Sequence, residues 1–126
     1  MFDQLFPILT TTDLPAALRF YRDLLGAEVT YQFPPEGEPD YVALELGQSH
    51  LGIGRQDQPA DLANDRITLW AYADDCDVAL ARLRAAGVPV LQEPVDQPWG
   101  ERMATVADPD GNPVIVASRP PESGPR

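Results

Sequence analysis

Asp13-Leu14-Pro15-Ala16-Ala17-Leu18-Arg19-Phe20-Tyr21-Arg22-Asp23-Leu24-Leu25-Gly26 is the stretch whose reading decides the fold. Leu14, Ala17, Leu18, Tyr21 and Leu25 fall at i, i+3, i+4, i+7 and i+11, one stripe of a 3.6-residue period. Asp13 is a good N-cap because its carboxylate accepts the unpaired amides of a first turn. Pro15 costs no intrahelical donor there, and Gly26 can take the left-handed conformation that closes a helix. The same device returns 62 positions on (75 − 13) as Asp75-Cys76, Ala79-Leu80 and Leu83, closed by Gly87. A repeat of this kind means two copies of one supersecondary unit.

Each helix follows an apolar or alternating run, Leu5 to Thr11 in the first copy and Ile67 to Ala73 in the second. Strands are expected at Glu28 to Phe33, Tyr41 to Leu46 and Ser49 to Gly54, then at Val88 to Gln92, Met103 to Ala107 and Pro113 to Ser118. Gly47-Gln48 reads as a tight hairpin turn. Asp108-Pro109-Asp110-Gly111 carries aspartate, proline and glycine where a type I turn prefers them. The pattern is βαβββ, linker, βαβββ, an α+β arrangement. It predicts one domain over residues 1–118, with modules at about 4–54 and 66–118 and a polar linker at 55–65. Residues 119–126 lack apolar periodicity and read as a flexible tail.

Nine basic residues against twenty acidic ones leave a net charge of -11. Phosphate backbones are repelled by such a chain, so no nucleic-acid partner is expected. The charge keeps the protein soluble and favours a cationic ligand. No run approaches the roughly 18 apolar residues of a membrane helix, and Met1-Phe2-Asp3-Gln4 lacks the pattern of a secretory signal. The single cysteine, Cys76, allows no intrachain disulfide and suits a reducing cytoplasm.

The residues from Asp13 to Gly26 resemble the first-helix signature of the vicinal oxygen chelate superfamily (glyoxalase/bleomycin resistance protein/dioxygenase). Asp108-Pro109-Asp110-Gly111-Asn112 is similar to the turn before that family's last strand. Trp99-Gly100-Glu101-Arg102 is similar to a segment common in its bleomycin-resistance branch. The resemblance covers about residues 4–118. It implies two modules forming a curved mixed sheet around a cleft, with helices outside, and a homodimer with ligand crevices between subunits. It also implies one divalent metal held by three or four His or Glu side chains, one from each first and last module strand.

Carried onto this sequence, the family's ligand positions fall on Phe6 and Thr68, seven residues before each capping aspartate, and on Gly52 and Ile115 in the last strands. A metal site needs nitrogen, sulfur or carboxylate donors converging at about 2.0–2.3 Å, and these four residue types do not supply them. No metal and no cofactor are therefore expected. The resulting reading is a metal-independent small-molecule binding protein resembling bleomycin-type sequestration proteins. Its alternative is a glyoxalase-like lyase or isomerase, or a dioxygenase, with an atypical metal site. No catalytic residue is assigned, because no nucleophile has a visible base and no phosphate loop is present.

Strand parity sorts the cleft walls. Leu5, Pro7, Leu9, Ile67, Leu69 and Ala71 should face the helices. The opposite parity gives Phe6, Ile8, Thr10, Thr68, Trp70 and Tyr72, with His50, Gly52, Gly54, Pro113, Ile115 and Ala117 from the last strands. Phe33 and Trp99 are expected on corresponding loops, where aromatic rings stack on the planar part of a ligand at about 0.5–1.5 kcal/mol per pair. The candidate ligand-binding set is Phe6, Phe33, His50, Thr68, Trp70, Tyr72, Trp99, Arg102 and Ile115, for a ligand of cationic and aromatic character. Trp70 and Phe33 equally fit as core filling. His50 reads first as a satisfied or half-exposed residue without a task, with a ligand contact, a general base or a shifted metal ligand as its alternatives. Glu45 is an exposed edge residue, a contact for a cation or a partner for Arg102, and Cys76 is a small core residue.

Overall fold

The structure, a computed structural model, describes residues 1, 4–57 and 68–120. The chain divides into two compact units, Met1–Leu62 and Ala63–Arg126.

In the first unit, β1 (Ile8–Thr11) leads into α1 (Leu14–Leu18), followed by β2 (Glu28–Phe33), β3 (Tyr41–Leu46) and β4 (Ser49–Arg55). The strand order is β1-β4-β3-β2. β1 runs parallel to β4, with Ile8 opposite Gly52, and the other pairs are antiparallel. The second unit repeats this with β5 (Leu69–Tyr72), α2 (Cys76–Ala85), β6 (Val90–Asp96), β7 (Arg102–Ala107) and β8 (Pro113–Ser118). Its order, β5-β8-β7-β6, is the same, and β5 and β8 are again the parallel pair. Two four-stranded mixed sheets, each with its helix, make the α+β class and the βαβββ pattern expected from the sequence.

Both predicted caps form. Asp13 accepts from the Ala16 amide and Asp75 from the Val78 amide, each at 3.1 Å. The first helix departs from the simple stripe: beyond Leu18 it continues as a π-helix over Arg19–Leu24. The Leu25 amide donates to the Phe20 carbonyl at 3.0 Å, five residues back. The wider winding lets the adjacent rings of Phe20 and Tyr21 share the buried side. They meet edge to face, with centroids 4.8 Å apart.

Period-two alternation then sets the core. Val42, Leu44 and Ile53 in the first unit, and Ala104, Val106, Val114 and Val116 in the second, are buried on one face of each sheet. Burial of each such Val, Leu or Ile contributes about 1.5–3 kcal/mol. Cys76 packs with this core. Its thiol donates to the Val116 carbonyl at 3.3 Å, and burial pushes its pKa up, with Asp77 adding to the shift.

Strand limits differ from the sequence reading mainly in β6, which runs on to Asp96 through Pro94. β6 is an edge strand whose register against β7 shifts between Val90 and Gln92 and again between Gln92 and Val95. A proline is tolerated at such an edge because its missing donor has no neighbour to serve. The first strands begin later than expected, at Ile8 and Leu69, and Ile67 lies outside the described residues. So do residues 58–65 of the linker and 121–126 of the tail. Among the described residues no helix is long and apolar enough to cross a membrane.

Replacing the α2 cap, Asp75→Ala, is expected to lower the unfolding free energy by about 1 kcal/mol in urea titrations. Asp75→Asn should keep most of it, because an amide oxygen still accepts the Val78 amide. Equal losses for the two variants would contradict the capping role.

Candidate functional site

The second unit carries the densest set of functional groups, on the sheet face turned away from α2. Trp70 and Tyr72 lie two apart on β5 and therefore on one face, with ring centroids 6.0 Å apart and planes tilted by 55°. They remain 43% and 41% exposed, and Trp99 in the β6–β7 loop is 53% exposed. Large aromatic rings left this open are held in place by a buried carboxylate. Glu101, 2% exposed, accepts from the Tyr72 hydroxyl through Oε2 and from the Trp99 indole N–H through Oε1, both at 2.7 Å.

The loop that delivers Trp99 is closed locally. The Gln97 amide donates to the Glu101 carbonyl at 2.7 Å and the Gly100 amide to the Gln97 carbonyl at 2.9 Å. The two side-chain bonds to Glu101 have the short distances of charge-assisted ones, which are about twice as strong as neutral bonds. Breaking either leaves part of a buried carboxylate without that donor, which is costly. The result is a rigid, partly exposed aromatic platform with a negative group beneath it.

The corresponding face of the first unit is built differently. Tyr41 stands on β3 opposite in parity to Val42 and Leu44, and its ring lies 6.3 Å from that of Tyr31 on β2. The Tyr41 ring crosses β4 at Gly52. A Cβ at Gly52 would stand 2.4 Å from the Tyr41 hydroxyl oxygen, and 3.0 Å from both Tyr41 Cε1 and Ile8 Cγ1. No side chain larger than hydrogen fits at position 52 while Tyr41 keeps this place. His50 lies opposite Glu45, with Nδ1 3.5 Å from Oε1.

These geometries test the metal that the resemblance implies. At the four expected positions stand Phe6 and Thr68, just before β1 and β5, Gly52 under the Tyr41 ring, and Ile115 in mid-β8 opposite Thr105. Three of the four have no donor atom in the side chain, and a threonine hydroxyl alone does not hold a divalent ion. The residues do not fit the group.

Of the sequence-predicted set, the second unit brings Trp70, Tyr72 and Trp99 together. Ile115 lies on the same face, since it pairs with Trp70. Thr68 is exposed at the start of that face. In the first unit Phe6 is 40% exposed, and Phe33 is the last residue of β2, opposite Tyr41, rather than a loop residue. Arg102 has a different place from the ligand contact expected of it. It shares its parity with Ala104 and Val106, the side facing the helix. There its guanidinium meets Asp77 of α2 at 2.8 and 3.2 Å and Asp96 at 3.0 Å. Those two partners, Asp77 first, raise its pKa further above the ordinary arginine value. Arg102 ties α2 to the β6–β7 ends. Glu45 meets His50, not Arg102.

Sequence reasoning passed over Glu101 and Tyr41. Glu101 lay inside the quoted Trp99-Gly100-Glu101-Arg102 segment, but a carboxylate in a loop carries no sign of burial. Tyr41 was legible through its parity opposite two aliphatic neighbours and through the missing side chain at Gly52.

A family model described as the Glyoxalase/Bleomycin resistance protein/Dioxygenase superfamily matches residues 2–116. An uncharacterized protein of Mycobacterium bovis is 28% identical over 118 residues, which span 86% of this chain and 78% of that protein. The putative glyoxylase CFP32 of the same species is 32% identical over 101 residues, covering 79% of this chain and 38% of its own length. A lactoylglutathione lyase from Agrobacterium tumefaciens superposes with a TM-score of 0.69 at 28% identity, over 92% of each chain. TioX from Micromonospora sp. ML1 superposes with a TM-score of 0.75 at 22% identity, over 93% of this chain and 98% of its own, a likeness of fold.

Gly52→Ala is expected to cost about 1–3 kcal/mol of stability through overpacking against the Tyr41 ring. In a double-mutant cycle read by urea unfolding, Tyr41→Ala should remove most of that cost. Strict additivity of the two changes would contradict the contact.

Proposed function

The chain belongs to the glyoxalase/bleomycin resistance protein/dioxygenase superfamily, and from that premise we propose that it captures a planar, cationic aromatic small molecule, without a metal ion and without converting it. The binding surface in this reading is the platform of Trp70, Tyr72 and Trp99. The observation that carries it is the buried Glu101 carboxylate holding two exposed rings through their only polar atoms. Rings fixed in this way lose little further freedom when a ligand stacks on them, so more of the stacking energy goes into affinity. A net charge of -11 supports a cationic partner by raising its local concentration. Phe6, Gly52, Thr68 and Ile115 support capture over chelation because they offer no metal-binding donor set.

This reading resembles sequestration as practised by bleomycin-type resistance proteins. It carries with it a homodimer in a reducing cytoplasm, with no nucleic-acid or membrane partner. It also takes residues 1–118 as one domain, with modules at 4–54 and 66–118, linker 55–65 and a tail from 119, whose first two residues, Arg119 and Pro120, lie against the second unit. A second reading, a lyase, isomerase or dioxygenase with an unorthodox metal site, is favoured by the likeness to the Agrobacterium lactoylglutathione lyase. It requires a donor set other than the four family positions.

The test is a titration of tryptophan emission with proflavine, a planar aromatic cation, beside an anthracene sulfonate of similar size and opposite charge. Proflavine is expected to quench saturably, with one site per chain, and the sulfonate to bind far more weakly. Trp99→Ala should weaken proflavine about two- to tenfold, the loss of one stacking partner. Glu101→Ala should weaken it comparably by releasing the rings, with circular dichroism confirming the fold. Equal binding of cation and anion, no saturable binding, or an unaltered Trp99→Ala protein would overturn the proposal.

A further inference from the structure

We infer that the Tyr72 face of this platform is a cation subsite already taken by the chain's own Arg119, which an incoming cationic ligand has to displace. The inference rests on the proposed capture at Trp70, Tyr72 and Trp99 and adds what guards it.

Two independent contacts lay the residues after β8 over the site. The guanidinium carbon of Arg119 stands 3.8 Å from the centroid of the Tyr72 ring, stacking distance for a planar cation on an aromatic face. Pro120 covers the loop that carries Trp99. A Cβ on Gly100 would meet Pro120 Cγ at 3.1 Å, and Gly100 has φ +100°, a conformation natural to glycine. The backbone brings Arg119 to this position without strain of its own. Ala117 pairs with Tyr72 in the parallel β5–β8 ladder, and Arg119 lies two residues beyond it, on the same parity.

The chemistry of the subsite follows from the ring. An aromatic face attracts cations through its quadrupole. The Tyr72 hydroxyl donates to the Glu101 carboxylate, which pushes electron density back into the ring and strengthens that attraction. A flat, delocalised cation is the best match, and a guanidinium is one. Arg119 thus marks by its own presence the ligand class that fits: a guanidinium, amidinium or protonated heteroaromatic ring. Because it is tethered, it competes at a high effective concentration and sets a threshold that weak cations do not cross.

Two measurements test this. In the protein without ligand, the Arg119 side-chain resonances should show an upfield ring-current shift that disappears in Tyr72→Leu. With proflavine, Arg119→Gln and Arg119→Ala should bind about two- to fivefold more tightly than the parent, the worth of an exposed cation–π contact. Arg119→Lys, a cation without the planar fork, should fall between. If the ring-current shift is absent, or the Gln and Ala variants bind no more tightly than a parent that does bind, Arg119 is not the occupant, while the platform stands. If neither the parent nor the Arg119 variants bind proflavine, the platform reading falls and the occupant with it.

Discussion

A four-stranded sheet accompanied by one helix packs one of its faces against that helix, and in both units this constraint divides the strand residues between two faces. Val42, Leu44 and Ile53, or Ala104, Val106 and Val114, are committed to packing because their parity turns them to the buried side. The intervening positions lie on the opposite face: Tyr41, His50 and Gly52 in one unit, Trp70, Tyr72 and Ile115 in the other. The capping aspartates matter because they fix where each helix begins, and so which residues it covers. Arg102 illustrates the rule from the other side. A charged residue on the packing parity is drawn into pairing with Asp77 and Asp96 at the margin of the helix, leaving it no part in the opposite face.

The two units use the same backbone plan for different ends. In the first, the missing side chain at Gly52 makes room for the Tyr41 ring, so the mid-strand position is filled by a phenol reaching across from β3. In the second, Ile115 leaves the mid-strand apolar, and polarity enters from the loop through Glu101. A carboxylate with 2% exposure that accepts from both a tyrosine and a tryptophan is expensive to desolvate. The fold keeps two large rings fixed by it.

Much of the fold was legible in the chain. The 62-residue repeat, the helix stripe and the turn residues gave the βαβββ pattern and the caps, because local periodicity and capping chemistry act over a few neighbouring residues. The turn at Asp108 shows how local that information is. Its carboxylate accepts from the amides of Asp110 and Asn112 at 3.0 and 2.7 Å, all within five residues. What sequence reading missed depends on distant contacts or on edges. The π-wound turn over Arg19–Leu24 follows from the demand to bury Phe20 and Tyr21 together, and the extension of β6 through Pro94 from its lying at a sheet edge. The candidate site was half legible. Parity put Trp70 and Tyr72 on one face, and the Pro98–Gly100 setting singled out Trp99. Glu101 and Arg119 entered only through contacts made across 29 residues and across the β5–β8 ladder.

Capture without a metal ion is the claim on which the functional account stands, and the metal dependence of binding tests it most directly. Metal content of the purified protein would be measured by mass spectrometry, with proflavine affinity compared before and after exhaustive chelation and after adding nickel, zinc or ferrous iron. The account predicts far less than one ion per chain and one affinity throughout. One tightly held ion per chain, or an affinity lost to the chelator and restored by a metal, would contradict it.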